Sequence, residues 1–217
     1  MATFAIAHGA GDVAWSWHLV AAELERRGHE VVAVDLPSED DDATLSDYAD
    51  TLIEAVGDRD DVVVVGHSLG GYTATLAAER LKADLLVLIS AMVPRAGETP
   101  SEWWSNTGLS ELPSHDGDET SLYLHDVAPA LAAEALRRGR DQSGRPMDEP
   151  WPLDSWPDVE TRYLALADDR CFPVAFVRTM VRDRLGFDPD EMPGSHCAFL
   201  SRPEELAERL EGYAGRV

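Results

Sequence analysis

The feature that most constrains this chain is the valine run Val62 to Val65, followed directly by Gly66-His67-Ser68-Leu69-Gly70-Gly71. A short β-branched run is typical of a buried strand, and the alanine-rich stretch from Tyr72 to Leu81 favours a helix. Ser68 therefore lies in a strand-to-helix turn, with one glycine two residues before it and another two residues after it. Only glycine gives the clearance that such a turn needs, and the turn raises the hydroxyl out of the sheet. The pattern predicts a nucleophilic serine, with an ordinary glycine-rich loop as the alternative.

The other members of a catalytic triad have candidates downstream of Ser68. A serine nucleophile needs a base, and the base needs a carboxylate that orients it. Asp168 and Asp169 follow a short apolar strand candidate, and His196 follows a later extended segment. Catalytic side chains of open α/β sheets lie beyond the carboxyl ends of the strands, where all of these residues would fall. We therefore expect Ser68, His196 and one of the two aspartates to act together.

A site of this kind also needs a pair of backbone amides that stabilises an oxyanion. The first strand candidate, residues 3–7, ends in a His-Gly turn at residues 8–11. We expect the amides of Ala10 and Leu69 to be the two donors, because Leu69 directly follows the nucleophile. The alternative for this turn is a plain glycine loop without a catalytic role.

Strand and helix patterns alternate along the chain. The strand candidates are residues 3–7, 30–34, 62–65, 85–89, 162–167 and 187–192, and the main helix candidates are residues 17–27, 44–56, 69–81, 173–184 and 203–213. Strands that alternate with helices form a parallel sheet covered on both faces. The sequence thus predicts a single α/β domain over residues 1–217, with a mostly parallel six-stranded sheet and a small lid insertion at 95–155.

The predicted insertion is rich in Pro, Gly, Trp and acidic residues and contains one helix candidate, at residues 128–138. Aromatic side chains are suited to line a pocket for a small apolar substrate. Trp103, Trp104 and Tyr123 are the candidates, and His125 is a candidate hydrogen-bond partner for the substrate. The equally weighted alternative is that these side chains only pack the insertion onto the core.

The charge and apolar content of the chain exclude several classes of partner. A net charge of −23 opposes binding to nucleic acid or to an anionic membrane. There is no apolar run of about eighteen residues and no basic, apolar leader, which favours a cytoplasmic protein. We expect a small-molecule substrate and a monomer or homodimer. Acidic runs such as residues 39–42 are typical of a salt-adapted cell or of a high-GC genome.

The sequence contains no sign of a metal or cofactor site. The two cysteines, Cys171 and Cys197, are too few for a disulfide framework, so we expect free thiols. No Cys/His cluster has the spacing of metal ligands, and no glycine-rich loop with a lysine is suited to hold phosphate. We therefore expect no metal and no cofactor.

Several motifs spread over most of the chain resemble one branch of the α/β-hydrolase superfamily, which holds plant methylesterases, hydroxynitrile lyases and related small bacterial hydrolases. The resembling segments are His8-Gly9-Ala10, Trp15-Ser16-Trp17, the Ser68 turn, Asp168-Asp169-Arg170 with Pro173, and the His196 loop with Phe199-Leu200-Ser201. The resemblance implies an α/β-hydrolase fold, hydrolysis of small esters or related acyl compounds, and a triad whose acid is Asp169.

The chain departs from the lyases of that branch at two positions. Cys197 stands where the lyases carry a lysine after the histidine, and Gly9 stands where they use a threonine hydroxyl. Both differences favour a serine esterase that acts through Ser68, Asp169 and His196 and forms an acyl-enzyme. The alternatives are a lyase or a C–C bond hydrolase with the same triad, or a small-ligand receptor without turnover.

Overall fold

Six parallel strands form one sheet in the computed structural model, which describes residues 1–215. The strands are β1 (Thr3–Ala7), β2 (Glu30–Ala33), β3 (Val62–His67), β4 (Leu85–Ile89), β5 (Thr161–Leu166) and β6 (Asp190–Met192). Their order across the sheet is β2-β1-β3-β4-β5-β6. Because all of the pairs are parallel, the carboxyl ends of the strands lie at one edge of the sheet. The predicted strands are confirmed, and β6 is shorter than expected.

Helices cover both faces of the sheet, as the sequence predicts. They are α1 (His18–Arg26), α2 (Leu45–Val56), α3 (Gly70–Leu81), α4 (Pro100–Asn106), α5 (Glu119–Tyr123), α6 (Pro129–Arg138), α7 (Val174–Leu185), α8 (Ala198–Ser201) and α9 (Pro203–Ala214). Consecutive strand side chains point to opposite faces, and the valines of β3 follow this rule. Val62 and Val64 pack with α2, α3 and α7, whereas Val63 and Val65 pack with α1, α8 and α9. The valine run is therefore buried on both sides.

The chain between β4 and β5 leaves the alternating pattern. It contains the short helices α4 and α5, the longer helix α6, and extended stretches between them. Its anchor in the core is Trp103, whose side chain is fully buried and donates from Nε1 to the carbonyl oxygen of Val93 at 3.1 Å. In the part of the chain that the structure describes, no helix is both long and apolar enough to cross a membrane.

Candidate active site

Ser68 occupies a strained turn between β3 and α3. Its φ angle is 53°, in the left-handed region that costs an ordinary residue about 1–3 kcal/mol. The Ser68 carbonyl oxygen accepts from the amides of Gly71, at 3.0 Å, and Met92, at 2.9 Å, which holds the turn in place. Gly66 is required because a Cβ there would lie 2.6 Å from the Cβ of Ala74 in α3. Strain held by surrounding bonds is typical of a functional position.

His196 and Asp169 meet beyond the ends of β6 and β5. The Nδ1 atom of His196 lies 2.7 Å from Oδ2 of Asp169, and both residues are buried. The other oxygen of Asp169 accepts from the amides of Cys171 and Phe172 at 2.8 and 2.9 Å. A carboxylate oxygen accepts, so Nδ1–H of His196 is the donor in this bond, which fixes the orientation of the ring. Ser68 and His196 line the same cavity.

His67, the residue before Ser68, contacts the backbone of His196. Its side chain is buried, and Nε2 lies 2.9 Å from the carbonyl oxygen of His196, so Nε2–H is the donor. Burial lowers the pKa of His67 well below its ordinary value, so the ring is neutral. The glycine-serine motif around Ser68 does not require a particular residue at position 67, so the sequence contains no signal for the role of His67.

The two amides expected to bind an oxyanion come from different turns, with Ala10 in the turn after β1 and Leu69 at the start of α3. Ala10 and Leu69 line the same cavity as Ser68. Neither amide donates to a protein acceptor within residues 1–215, so both are available to a ligand. Two bonds from the segment after α6 hold the turn after β1: Arg140 donates its amide to Gly11 O at 2.7 Å, and Gln142 accepts from Gly11 N through Oε1 at 3.2 Å. The sequence contains no signal for the role of residues 140–142, because nothing in their local pattern points to a partner so far away in the chain.

The site opens into a cavity of about 490 Å³. Of the four residues expected at a substrate pocket, Trp104 and Tyr123 line the cavity. Trp103 does not, because it is fully buried against Val93 in the core. His125 does not either: it is half-buried outside the cavity lining, with Nε2 2.9 Å from the carbonyl oxygen of Asp168. The expectation that these two side chains contact substrate is corrected accordingly.

Both cysteines line the cavity as free thiols. Burial raises the pKa of Cys171 and of Cys197 above the ordinary thiol value. A thiol is nucleophilic only as the thiolate, so neither cysteine competes with Ser68 at neutral pH.

Comparisons with known proteins identify the family and the fold of this chain. The sequence model of the alpha/beta hydrolase family matches residues 4–209. The chain is 27% identical to norfluorocurarine synthase 1 from a Strychnos species, over 99% of this chain and 96% of that protein. It is 28% identical to methylesterase 7 from Arabidopsis thaliana, over 95% and 94% of the two chains. Among solved structures, polyneuridine aldehyde esterase superposes with a TM-score of 0.83 at 23% identity, over 99% of each chain. At that identity the superposition establishes the fold.

Proposed function

Because the chain belongs to the alpha/beta hydrolase family, we propose that it hydrolyses small carboxylic esters through an acyl-enzyme formed on Ser68. The observation that carries the proposal is the placement of a strained serine in one cavity with a histidine that is oriented by a buried carboxylate. The relatives with nearly full-length matches include methylesterases, which favours an ester over other acyl compounds.

In the first half of the reaction, the Ser68 hydroxyl attacks the ester carbonyl and gives its proton to Nε2 of His196. Asp169 stabilises the imidazolium that forms, because its Oδ2 already holds Nδ1–H at 2.7 Å. Negative charge develops on the carbonyl oxygen, which the amides of Ala10 and Leu69 bind. One such donor contributes about 3 kcal/mol to the barrier reduction in related sites. The tetrahedral intermediate collapses, and the alcohol leaves with the proton from His196.

In the second half, water replaces the alcohol. His196 takes a proton from the water, which attacks the acyl-Ser68 carbonyl, and the same two amides bind the oxyanion again. Collapse of this second intermediate returns the proton to Ser68 and releases the carboxylic acid. All of the proton transfers use one nitrogen, so no cofactor is needed.

Labelling and mutation of the nucleophile test the proposal. A serine-directed phosphonate is expected to label Ser68 alone, and Ser68→Ala is expected to lower turnover by a factor on the order of 10⁶. Activity is measured on methyl, aryl and thioester substrates, and circular dichroism shows whether the variant keeps its fold. Substantial triad-independent turnover by folded Ser68→Ala would place the chemistry elsewhere.

A further inference from the structure

The cavity contains a carboxylate that the reaction above does not use. Asp12 follows the turn that holds Ala10, and it lines the cavity together with Ser16. Its Oδ1 atom accepts from the Ser16 hydroxyl and from the Val13 amide, the latter at 2.8 Å. Its Oδ2 atom meets no hydrogen-bond donor within residues 1–215. The side chain is therefore held by one oxygen and keeps the other for a ligand.

Within the described residues no cationic side chain forms an ion pair with Asp12, although His8 and His196 are near enough to act to lower its pKa. Arg140 is near, but its Nη2 donates to the backbone carbonyl oxygens of Asp12 and Leu36 at 3.1 and 2.8 Å. His8 is buried and neutral: Nδ1 lies 2.8 Å from Gly9 O, and Nε2 accepts from the Leu36 amide at 3.0 Å. Burial lowers the pKa of His8, and burial raises the pKa of Asp12. A half-buried carboxylate without a counter-ion is costly, and a cationic ligand offsets that cost.

The other walls of the cavity suit such a ligand. The exposed acidic residues Glu119 and Asp141 and the partly buried aromatic residues Trp104 and Tyr123 also line the cavity. Carboxylates combined with aromatic faces are the groups by which proteins bind ammonium ions. The net charge of −23 also attracts cations to the whole molecule.

We propose that Asp12 is a specificity-determining residue, and that the preferred substrate is a small ester with a protonated or quaternary amine a few bonds from the scissile carbonyl. This inference rests on the proposed ester hydrolysis at Ser68. It places the amine near Oδ2 of Asp12, two residues beyond the Ala10 amide that would hold the oxyanion.

Matched esters that differ only in charge test the inference. One pair is butyrylcholine and 3,3-dimethylbutyl butyrate, with the cation on the alcohol. The other pair is methyl 4-(trimethylammonio)butyrate and methyl 5,5-dimethylhexanoate, with the cation on the acyl group. The wild type is expected to prefer the cationic member of at least one pair by tenfold or more in kcat/KM, which is about the size of a contact between a partly desolvated ammonium cation and the groups that bind it.

In Asp12→Asn that ratio is expected to fall to near one. Because the ratio compares two substrates in the same variant, a general loss of activity cancels. Asp58→Asn is the matched control, since it removes the same charge at an exposed position outside the cavity lining, and it should keep the wild-type ratio. A wild-type ratio near one in both pairs, or a preference that survives in Asp12→Asn, overturns the inference while ester hydrolysis at Ser68 stands.

A second measurement does not depend on turnover. Benzyltrimethylammonium is expected to slow phosphonate labelling of Ser68, whereas neopentylbenzene, its neutral isostere, is expected to protect at least tenfold less well. Asp12→Asn should remove the difference. Equal protection by the two compounds in the wild type contradicts the role of Asp12. Absence of labelling at Ser68, in contrast, means that the proposed function itself has failed.

Discussion

Asp168 and Asp169 are adjacent in the chain, yet they meet different partners. Asp169 is buried and contacts His196, whereas Asp168 is exposed and accepts from the Gly194 amide through Oδ2 at 2.9 Å. Consecutive side chains at the end of a strand point in opposite directions, so only one of the two reaches the imidazole. The strand pattern alone leaves this choice open, and the family resemblance favours Asp169.

Replacement of each aspartate by asparagine separates the two roles. Asp169→Asn keeps the shape but favours the wrong imidazole tautomer, and in serine proteases the same change lowers kcat about 10⁴-fold. We expect a loss of that order in Asp169→Asn and little loss of kcat in Asp168→Asn, measured at neutral pH on folded variants. The reverse ranking would show that Asp168 is the orienting acid.

The residue that follows His196 distinguishes this chain from hydroxynitrile lyases and leads to a prediction about cyanide release. Cys197 cannot replace the lysine of the lyases, because a thiol is never positively charged, and burial raises its pKa so that it stays neutral. Departing cyanide therefore lacks the ammonium group that the lyases place beside the histidine. We expect no cyanide release from mandelonitrile or acetone cyanohydrin above the Ser68→Ala background. Triad-dependent release, in a preparation that is active on esters, would favour lyase over esterase activity.

Helices α4 and α5 are not among the predicted helices, although the residue directly before each of them is a capping residue. Thr99 accepts from the Glu102 amide at 3.0 Å and Glu102 accepts from the Thr99 amide at 3.0 Å, while Asp118 accepts from the Ser121 amide at 2.8 Å. The helices are only 7 and 5 residues long, too short to display a helical period.

Long elements that bury whole faces are predictable from sequence. The bonds of His67 and Gln142 are not, because they join residues far apart in the chain.

Gln142 connects the segment after α6 to the turn after β1 that contains Ala10 and Gly11, and its removal is expected to affect kcat more than KM. Gln142→Ala leaves the Gly11 amide without its acceptor and loosens the turn, for an expected loss of about tenfold in kcat. Gln142→Glu keeps an acceptor oxygen and should retain most of the activity. Equal losses in the two variants, or a loss confined to KM, would contradict a positioning role.

A buried ion pair ties α7 to the start of the inserted segment. Arg184 donates to both oxygens of Glu98, and their side chains are 1% and 5% exposed. Glu98→Ala leaves the buried charge of Arg184 without its partner. This is expected to lower the free energy of unfolding by about 3–5 kcal/mol in urea denaturation. The control is Asp188→Ala, which breaks an exposed pair with Arg182 and should cost less than about 1 kcal/mol.

The same pair gives stability a dependence on pH. Burial acts to raise the pKa of Glu98, but the hydrogen bonds from Arg184 and Asn106 outweigh it and hold this pKa below the ordinary glutamate value. Its stabilising contribution is therefore complete above the ordinary pKa and is lost as the pH falls through the lowered one. In Glu98→Ala, urea denaturation should show a weaker loss of stability over this acidic range than in the wild type.

The charge of the whole molecule is concentrated in exposed acidic runs such as residues 39–42. With a net charge of −23, these carboxylates repel one another across the folded surface. The Debye length falls from about 10 Å at 0.1 M salt to about 3 Å at 1 M. We expect the melting temperature to rise as KCl increases over this range. A flat or falling curve would leave genome composition as the explanation of the acidic surface.

The bonds between Gly11 and residues 140–142 also bear on how substrate enters. The segment after α6 forms part of the cavity wall through Gly139, Arg140 and Asp141, and it holds the turn that presents the Ala10 amide. A swing of this wall away from the core would break both bonds to Gly11 and release that turn. With Ala10 as an oxyanion donor, the open form would admit substrate readily but turn it over poorly. Substrate entry and ester hydrolysis would then take place in different conformations, and the rate at which this wall closes would set an upper limit on turnover.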